Sequence, residues 1–367
     1  MTPLHVACKY GSEKVFNLLL TRTDPIELAT SLDNKLSLPL HHICACKVEK
    51  LKIVESILKK IRHHDECNKT EFLKKALAQR NCSNKTPLHI CIENGYVKLV
   101  QLLIEYNANV DEEGGSLDEY PVHMAAKIGS FEILEILKNN SADLKVENRK
   151  NENLLHVAAV SNQFSFILKY VQKFGQSAVH ATNLRQQTPL LLAAAYDNAS
   201  SVDILLLKCG ANIEDKDIED NTIFHLCAIH NNFEIFKNLL DERLPKLKKK
   251  ESLLSILKQT DKCDNTFVHI ACKQNNLEIL RHLFSSKLLD DLEKAELVFA
   301  KNNYEQTGFH ISCFEGHYDI VKFFLTIDFC SQSALVHDVD ETFNNCLHLA
   351  TMKGNDRIVR YNSFNVV

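Results

Sequence analysis

Histidine and cysteine recur three residues apart along this chain, as His5 and Cys8, His41 and Cys44, His269 and Cys272, and His310 and Cys313. On a helix that spacing puts an imidazole and a thiol on one face, which is half of a zinc site. A second constellation, His63-His64-Asp65-Glu66-Cys67, gathers metal-capable side chains in consecutive positions. Lys246, Lys248, Lys249 and Lys250 form a basic run beside Leu253, Leu254, Ile256 and Leu257, a pattern that an acidic partner, a phosphoinositide headgroup or nucleic acid would meet.

The histidines belong to a larger register. Thr-Pro-Leu-His or a close variant begins at Thr2, Leu38, Thr86, Tyr120, Asn153, Thr188, Thr222, Thr266, Thr307 and Asn345, ten copies with a period of about 33 residues. Its fourth position holds His5, His41, His89, His123, His156, His225, His269, His310 and His348, with Leu191 the exception. The second position is Pro3, Pro39, Pro87, Pro121 or Pro189 in half the copies, suited to the first turn of a helix, and Thr or Asn before it supplies an N-cap oxygen.

Six residues after the histidine stands Gly11, Gly95, Gly129, Gly316 or Gly354, or else Asn162, Asn231 or Asn275, residues that accept the left-handed backbone of a helix end. Apolar runs at helical spacing follow, such as Ile133, Leu134, Ile136 and Leu137. Asn84, Asp118, Asn151, Asp220 and Asp264 fall two residues before the next signature and predict a tight projecting loop. The unit is helix, turn, helix, loop.

The register reassigns the chemistry. Cys8, Cys44, Cys91, Cys227, Cys272 and Cys313 take places that Ala126, Ala159 and Ala194 fill in sister copies, so each reads as a small buried hydrophobe. Cys67, Cys82 and Cys263 are the exposed thiols a redox or electrophile-sensing role would use, and no neighbour argues for a lowered thiol pKa. The 63–67 cluster reads as crowded charge in an insertion, and the basic run as a solvated helix face. Catalytic motifs are absent: there is no phosphate-binding glycine loop, no His-Glu-x-x-His and no nucleophile elbow, so a non-enzyme without cofactor or metal is expected.

Composition sets limits. A net charge of −4 with 45% hydrophobic residues gives no basic excess for nucleic acid, and no apolar run approaches the roughly 18 residues that span a bilayer. No secretory signal opens the sequence, which predicts a cytoplasmic chain with no membrane insertion of its own.

These runs, with Gly210-Ala211-Asn212-Ile213, resemble the ankyrin-repeat family across essentially the whole chain. The resemblance implies an all-α solenoid of about ten helix-turn-helix units, 1–367 without an internal domain boundary, whose concave face binds other proteins. It implies that the signature histidines are structural, tying each loop to its own and the next unit. Lys85, Glu119, Glu152, Arg185 and Glu219 are the loop-tip residues expected to contact a partner.

Spacing lengthens from His41 to His89, from His225 to His269 and from His269 to His310, which predicts insertions, the first with an added helical segment over roughly Lys59 to Arg80. Both ends are expected to be incomplete: the apolar pattern of the last second helix stops near Arg360. The order Thr188-Pro189-Leu190-Leu191, Gly210-Ala211, Asn221, His225, with Asp338-x-Asp340 leading to Asn345-Cys346-Leu347-His348, is similar to the cytosolic array of ankyrin-type transient receptor potential cation channels. That resemblance implies a sensing and assembly arm on the cytosolic side of a homotetrameric pore. The alternative is a free-standing adaptor or scaffold.

Overall fold

The computed structural model describes residues 1–247 and 253–365. Among the described residues the structure is helical, with only two isolated β-bridges. Lys248, Lys249 and Lys250 of the basic run lie outside the described residues, whereas Lys246 stands 4.0 Å from Glu242 one turn earlier.

Each signature copy opens a short helix, and the sequence explains where each begins and ends. Pro87–Glu93 starts with proline after an extended Thr86, and Pro3–Tyr10 ends on Gly11 at φ 62°. All eight glycine or asparagine positions expected to end first helices have positive φ, Asn162, Asn231 and Asn275 among them. The second helices bury one stripe: Ile133, Leu134 and Leu137 are fully enclosed in Phe131–Asn139, as are Ile320, Val321 and Phe324 in Tyr318–Phe324.

The helices group into two compact units, Met1–Leu184 and Arg185–Val367, where the sequence marks no boundary. In the first unit, helix pairs such as Pro87–Glu93 with Val97–Glu105 and Pro121–Ile128 with Phe131–Asn139 stack on one another. The insertion here is helical as expected: Leu51–Asn68 is extended and followed by Phe72–Ala78. Asp65 holds the two together by accepting the N–H groups of Phe72 and Leu73 at 3.1 and 2.8 Å. Within the 63–67 cluster His63 approaches Cys67 at 4.0 Å and His64 approaches Asp65 at 3.9 Å. Among the described residues no three histidine, cysteine or acidic side chains gather in a way that would hold a metal ion.

In the second unit, Phe233–Asn238 runs through a π-helical turn, Leu239–Arg243, into Leu244–Leu247. Arg243 anchors this turn by a two-pronged ion pair to Asp203, both contacts at 2.7 Å. The third long spacing contains the helix Asp291–Val298, which Asp290 and Glu293 cap reciprocally. The last helix, Asp356–Asn365, continues past Arg360, where the apolar pattern stops; Tyr361 meets Tyr318 edge-on. No helix among the described residues is long and apolar enough to cross a membrane.

Candidate functional site

The signature histidine works in two directions. Its Nδ1 accepts the backbone N–H of the residue that opens its own helix, at 3.1 Å from Thr2 to His5, 3.2 Å from Tyr120 to His123 and 3.1 Å from Thr266 to His269. That leaves the ring proton on Nε2, which donates to a loop carbonyl of the following unit: Glu152 for His123 at 3.0 Å, Asn265 for His225 at 2.9 Å, Gln306 for His269 at 2.9 Å. Burial pushes His41, His89, His123 and His269 down to about 4, which keeps them neutral at physiological pH. His89 departs from the pattern. Its buried Nε2 has no hydrogen-bond partner, and it faces Gly114 so closely that a Cβ there would stand 2.7 Å away.

The projecting loops are built on a residue the sequence reading overlooks. Five positions before the signature, an Asp or Asn side chain accepts two backbone N–H groups of its own hairpin. Asp33 takes Lys35 and Ser37 at 2.8 and 2.9 Å, and Asp217, Asp261 and Asp340 repeat this with the residues two and four further on. Burial alone would raise the Asp33 carboxyl; the bonds from Ser37, His42 and Lys35 outweigh it and hold the group at about 2. A second overlooked series starts the second helices. Asn232, Asn276 and Asn355 donate side-chain N–H groups to the carbonyls of Ala194, Ala228 and Cys313, which end first helices one unit earlier. The signal in the sequence is an asparagine ten residues after the signature begins, next to the helix-ending glycine or asparagine.

Adjacent hairpins join at their tips. In the first unit Arg149 N–H donates to the Leu117 carbonyl and Leu184 N–H to that of Lys150. In the second, Ile218 pairs with Arg185, Lys262 with Glu219, Asn303 with Cys263 and Glu341 with Tyr304 in the same sense. This ladder corrects the tip assignment. Arg185 and Glu219 are exposed at tips, whereas Glu119 and Glu152 are only 8% exposed and Lys85 is half-buried. These three immediately precede their signatures, on the returning limb of the hairpin, where the backbone turns back to the helix. There Lys85 pairs with Glu93 at 2.7 Å and Glu119 with Lys127 at 3.2 Å.

Between the hairpins and the first helices of the second unit lies a cavity of about 450 Å³. Ile270, Ile311 and Phe314 give it an apolar floor, Tyr304 and Cys263 stand at the tip side, and Lys273 and Glu315 bring charge. Cys67, Cys82 and Cys263 are exposed, whereas the signature thiols are buried; burial pushes Cys8 and Cys272 up to about 12.

Comparison with known proteins agrees with this architecture. The family described as "Ankyrin repeats (3 copies)" matches residues 29–114, 155–251, 190–294 and 224–333, and "Ankyrin repeat" matches 1–29. A putative ankyrin repeat protein of Acanthamoeba polyphaga mimivirus is 28% identical over 41% of this chain and 24% of its own length. A palmitoyltransferase of Lachancea kluyveri is 28% identical over 42% of this chain and 21% of its own. The transient receptor potential cation channel subfamily A member 1 of Drosophila melanogaster is 24% identical over 62% of this chain and 18% of its own. The chain thus spans about a quarter or less of the length of these relatives. The solved ankyrin repeat domain of human ASB11 aligns with a TM-score of 0.49 at 21% identity, over 62% of this chain and 91% of that one. With family matches over well more than half of its residues, the chain belongs to the ankyrin-repeat family, whose repeats are protein-interaction modules.

Proposed function

We propose that this array is the cytosolic partner-binding arm of a cation channel of the ankyrin-type transient receptor potential class. The observation that carries the reading is the alignment with the fly channel, which runs over 62% of this chain, against 42% for the yeast palmitoyltransferase. A second channel homologue, from Caenorhabditis elegans, aligns at 25% identity over 42% of the chain. In this reading the exposed tips and the cavity beside Tyr304 contact other proteins, the arm itself performs no catalysis, and four copies surround one pore.

An antibody against the array, used to fractionate native cells, tests it. The protein should pellet with membranes, stay there through alkaline carbonate washing, and cross-link to a tetramer. Recovery in the supernatant would reject the channel and leave the free-standing adaptor. The 28% identity to the palmitoyltransferase favours one second reading, an array attached to such an enzyme, in which the membrane fraction would carry acyl-transfer activity instead of cross-linking to a tetramer.

A further inference from the structure

The hairpin tips of the second unit are unusual in three ways at once. From Ile218 to Phe343 the projecting positions carry Glu219, Asp220, Asp264, Glu305 and Glu341 against a single base, Lys262. Lys301 offsets Glu305 from behind, at 3.6 Å. The same tips expose large apolar side chains: Ile218 is 37%, Tyr304 51% and Phe343 82% exposed. Phe343 also holds a backbone position, φ 60°, that five other copies fill with Asn84, Asp118, Asn151, Asp220 and Asp264, residues suited to it, while Leu36, Gln186 and Glu305 share the strain. Neither the folding of the hairpin nor burial explains a phenylalanine there.

The tips are fixed relative to one another within this unit, because Asn303 bonds to Cys263 and Glu341 to Tyr304 at 3.1 Å each. Directly behind Tyr304 opens the apolar cavity floored by Ile270, Ile311 and Phe314, of a volume that takes a large side chain. A fixed acidic row with protruding rings, fronting an apolar recess, is complementary to one kind of chain. We infer that this ridge binds a basic segment of a partner protein, with one bulky apolar side chain of that segment entering the cavity beside Tyr304 and its Lys or Arg residues facing Asp264 and Glu341. The inference rests on the interaction-module reading and specifies the partner's chemistry.

The probe is a fluorescein-labelled synthetic peptide alternating Arg and Gly around one central Phe, with a twin carrying Ala at the centre and another carrying Glu for Arg. Anisotropy titration of the whole chain should show binding of the first that weakens with salt, with the Ala twin roughly fivefold or more weaker and the Glu twin inactive. Asp264→Asn with Glu341→Gln, and separately Tyr304→Ala, should each weaken the first peptide by a similar factor. Phe343→Asn gives the sharpest contrast: it should weaken binding while leaving the melting temperature unchanged or higher, because asparagine suits the positive φ. Equal binding of the Phe and Ala peptides, or unchanged affinity in Phe343→Asn and in the Asp264/Glu341 variant, would overturn the inference. Hydrogen exchange on the complex separates the two levels. Protection at 303–306 and 341–343 is expected, whereas protection confined to other repeats would remove this ridge and leave the interaction-module reading standing.

Discussion

Lys127 reaches back to Glu119 at 3.2 Å, and one unit earlier Lys85 makes the same contact to Glu93 at 2.7 Å with the charges exchanged. The pair joins the residue before the signature to the one seven positions after it begins, so the geometry tolerates either polarity. Lys85→Glu should therefore cost about 0.5 kcal/mol through like-charge repulsion, and Lys85→Glu with Glu93→Lys should recover it. Urea midpoints for the two singles and the double close that cycle; no recovery in the double would show that the pairing is incidental.

His123 bridges its own helix start and the Glu152 carbonyl, so its removal leaves a half-buried N–H and a buried carbonyl unmatched. His123→Ala should destabilise the first unit by roughly 2–3 kcal/mol. His123→Leu should cost less, because Leu191 fills the equivalent place in a sister copy while fully buried. Equal urea unfolding of wild type and His123→Ala would contradict the bridging role.

Asn232 is 7% exposed and its side-chain N–H ends on the Ala194 carbonyl at 2.6 Å. Replacing it with Ala should lower stability by about 1–2 kcal/mol, whereas the neighbouring exposed Asn231, at φ 56°, should prefer Gly to Ala. Thermal unfolding of Asn232→Ala, Asn231→Gly and Asn231→Ala distinguishes a carbonyl tie from a backbone requirement.

Leu36 occupies a left-handed position at φ 56° with half of its surface exposed. Leu36→Asn should stabilise the protein by about 0.5–1 kcal/mol, since asparagine adopts that conformation at lower cost and no core contact is lost. A lower melting temperature would mean the leucine packs in a way its exposure does not reveal.

Acid should weaken the fold well before its carboxylates titrate. His41, His89, His123 and His269 sit at about 4 when folded, below the ordinary value of 6.5. At pH 7 both folded and unfolded forms are neutral, so nothing is lost. As pH falls from 6.5 toward 4 the unfolded chain takes up protons first, and each histidine removes about 1.4 kcal/mol per pH unit. Denaturant midpoints at pH 7, 6 and 5 should fall progressively, and the fall should be shallower in His123→Leu. A flat profile over this window would show that the rings are solvated.

Most of the fold was written in local chemistry that returns at a fixed interval. Thr86-Pro87 starts a helix and Gly95 ends the turn after it by conformational preference alone, so ten copies specify the unit and its stacking partner. The buried cysteines were legible for the same reason, because alanine stands in their place in other copies. Lys85, Glu119 and Glu152 were misplaced because a hairpin reverses direction within a few residues, and an error of two positions moves a side chain from tip to returning limb.

The sequence by itself determined the repeat, the sites of left-handed backbone and the histidine series, because each follows from the intrinsic preference of a residue within its own turn. Only the tertiary structure decided which Asp or Asn organises each hairpin, that Asn232 and Asn276 tie one unit to the one before, and that Tyr304 and Phe343 stand exposed near an apolar recess. The asparagine ties and the placing of Tyr304 beside Phe343 join residues some forty positions apart, at distances set by how neighbouring helix pairs pack, which no single turn encodes. The hairpin Asp or Asn reaches only two and four residues on, and the closed hairpin decides which polar residue of the loop does so.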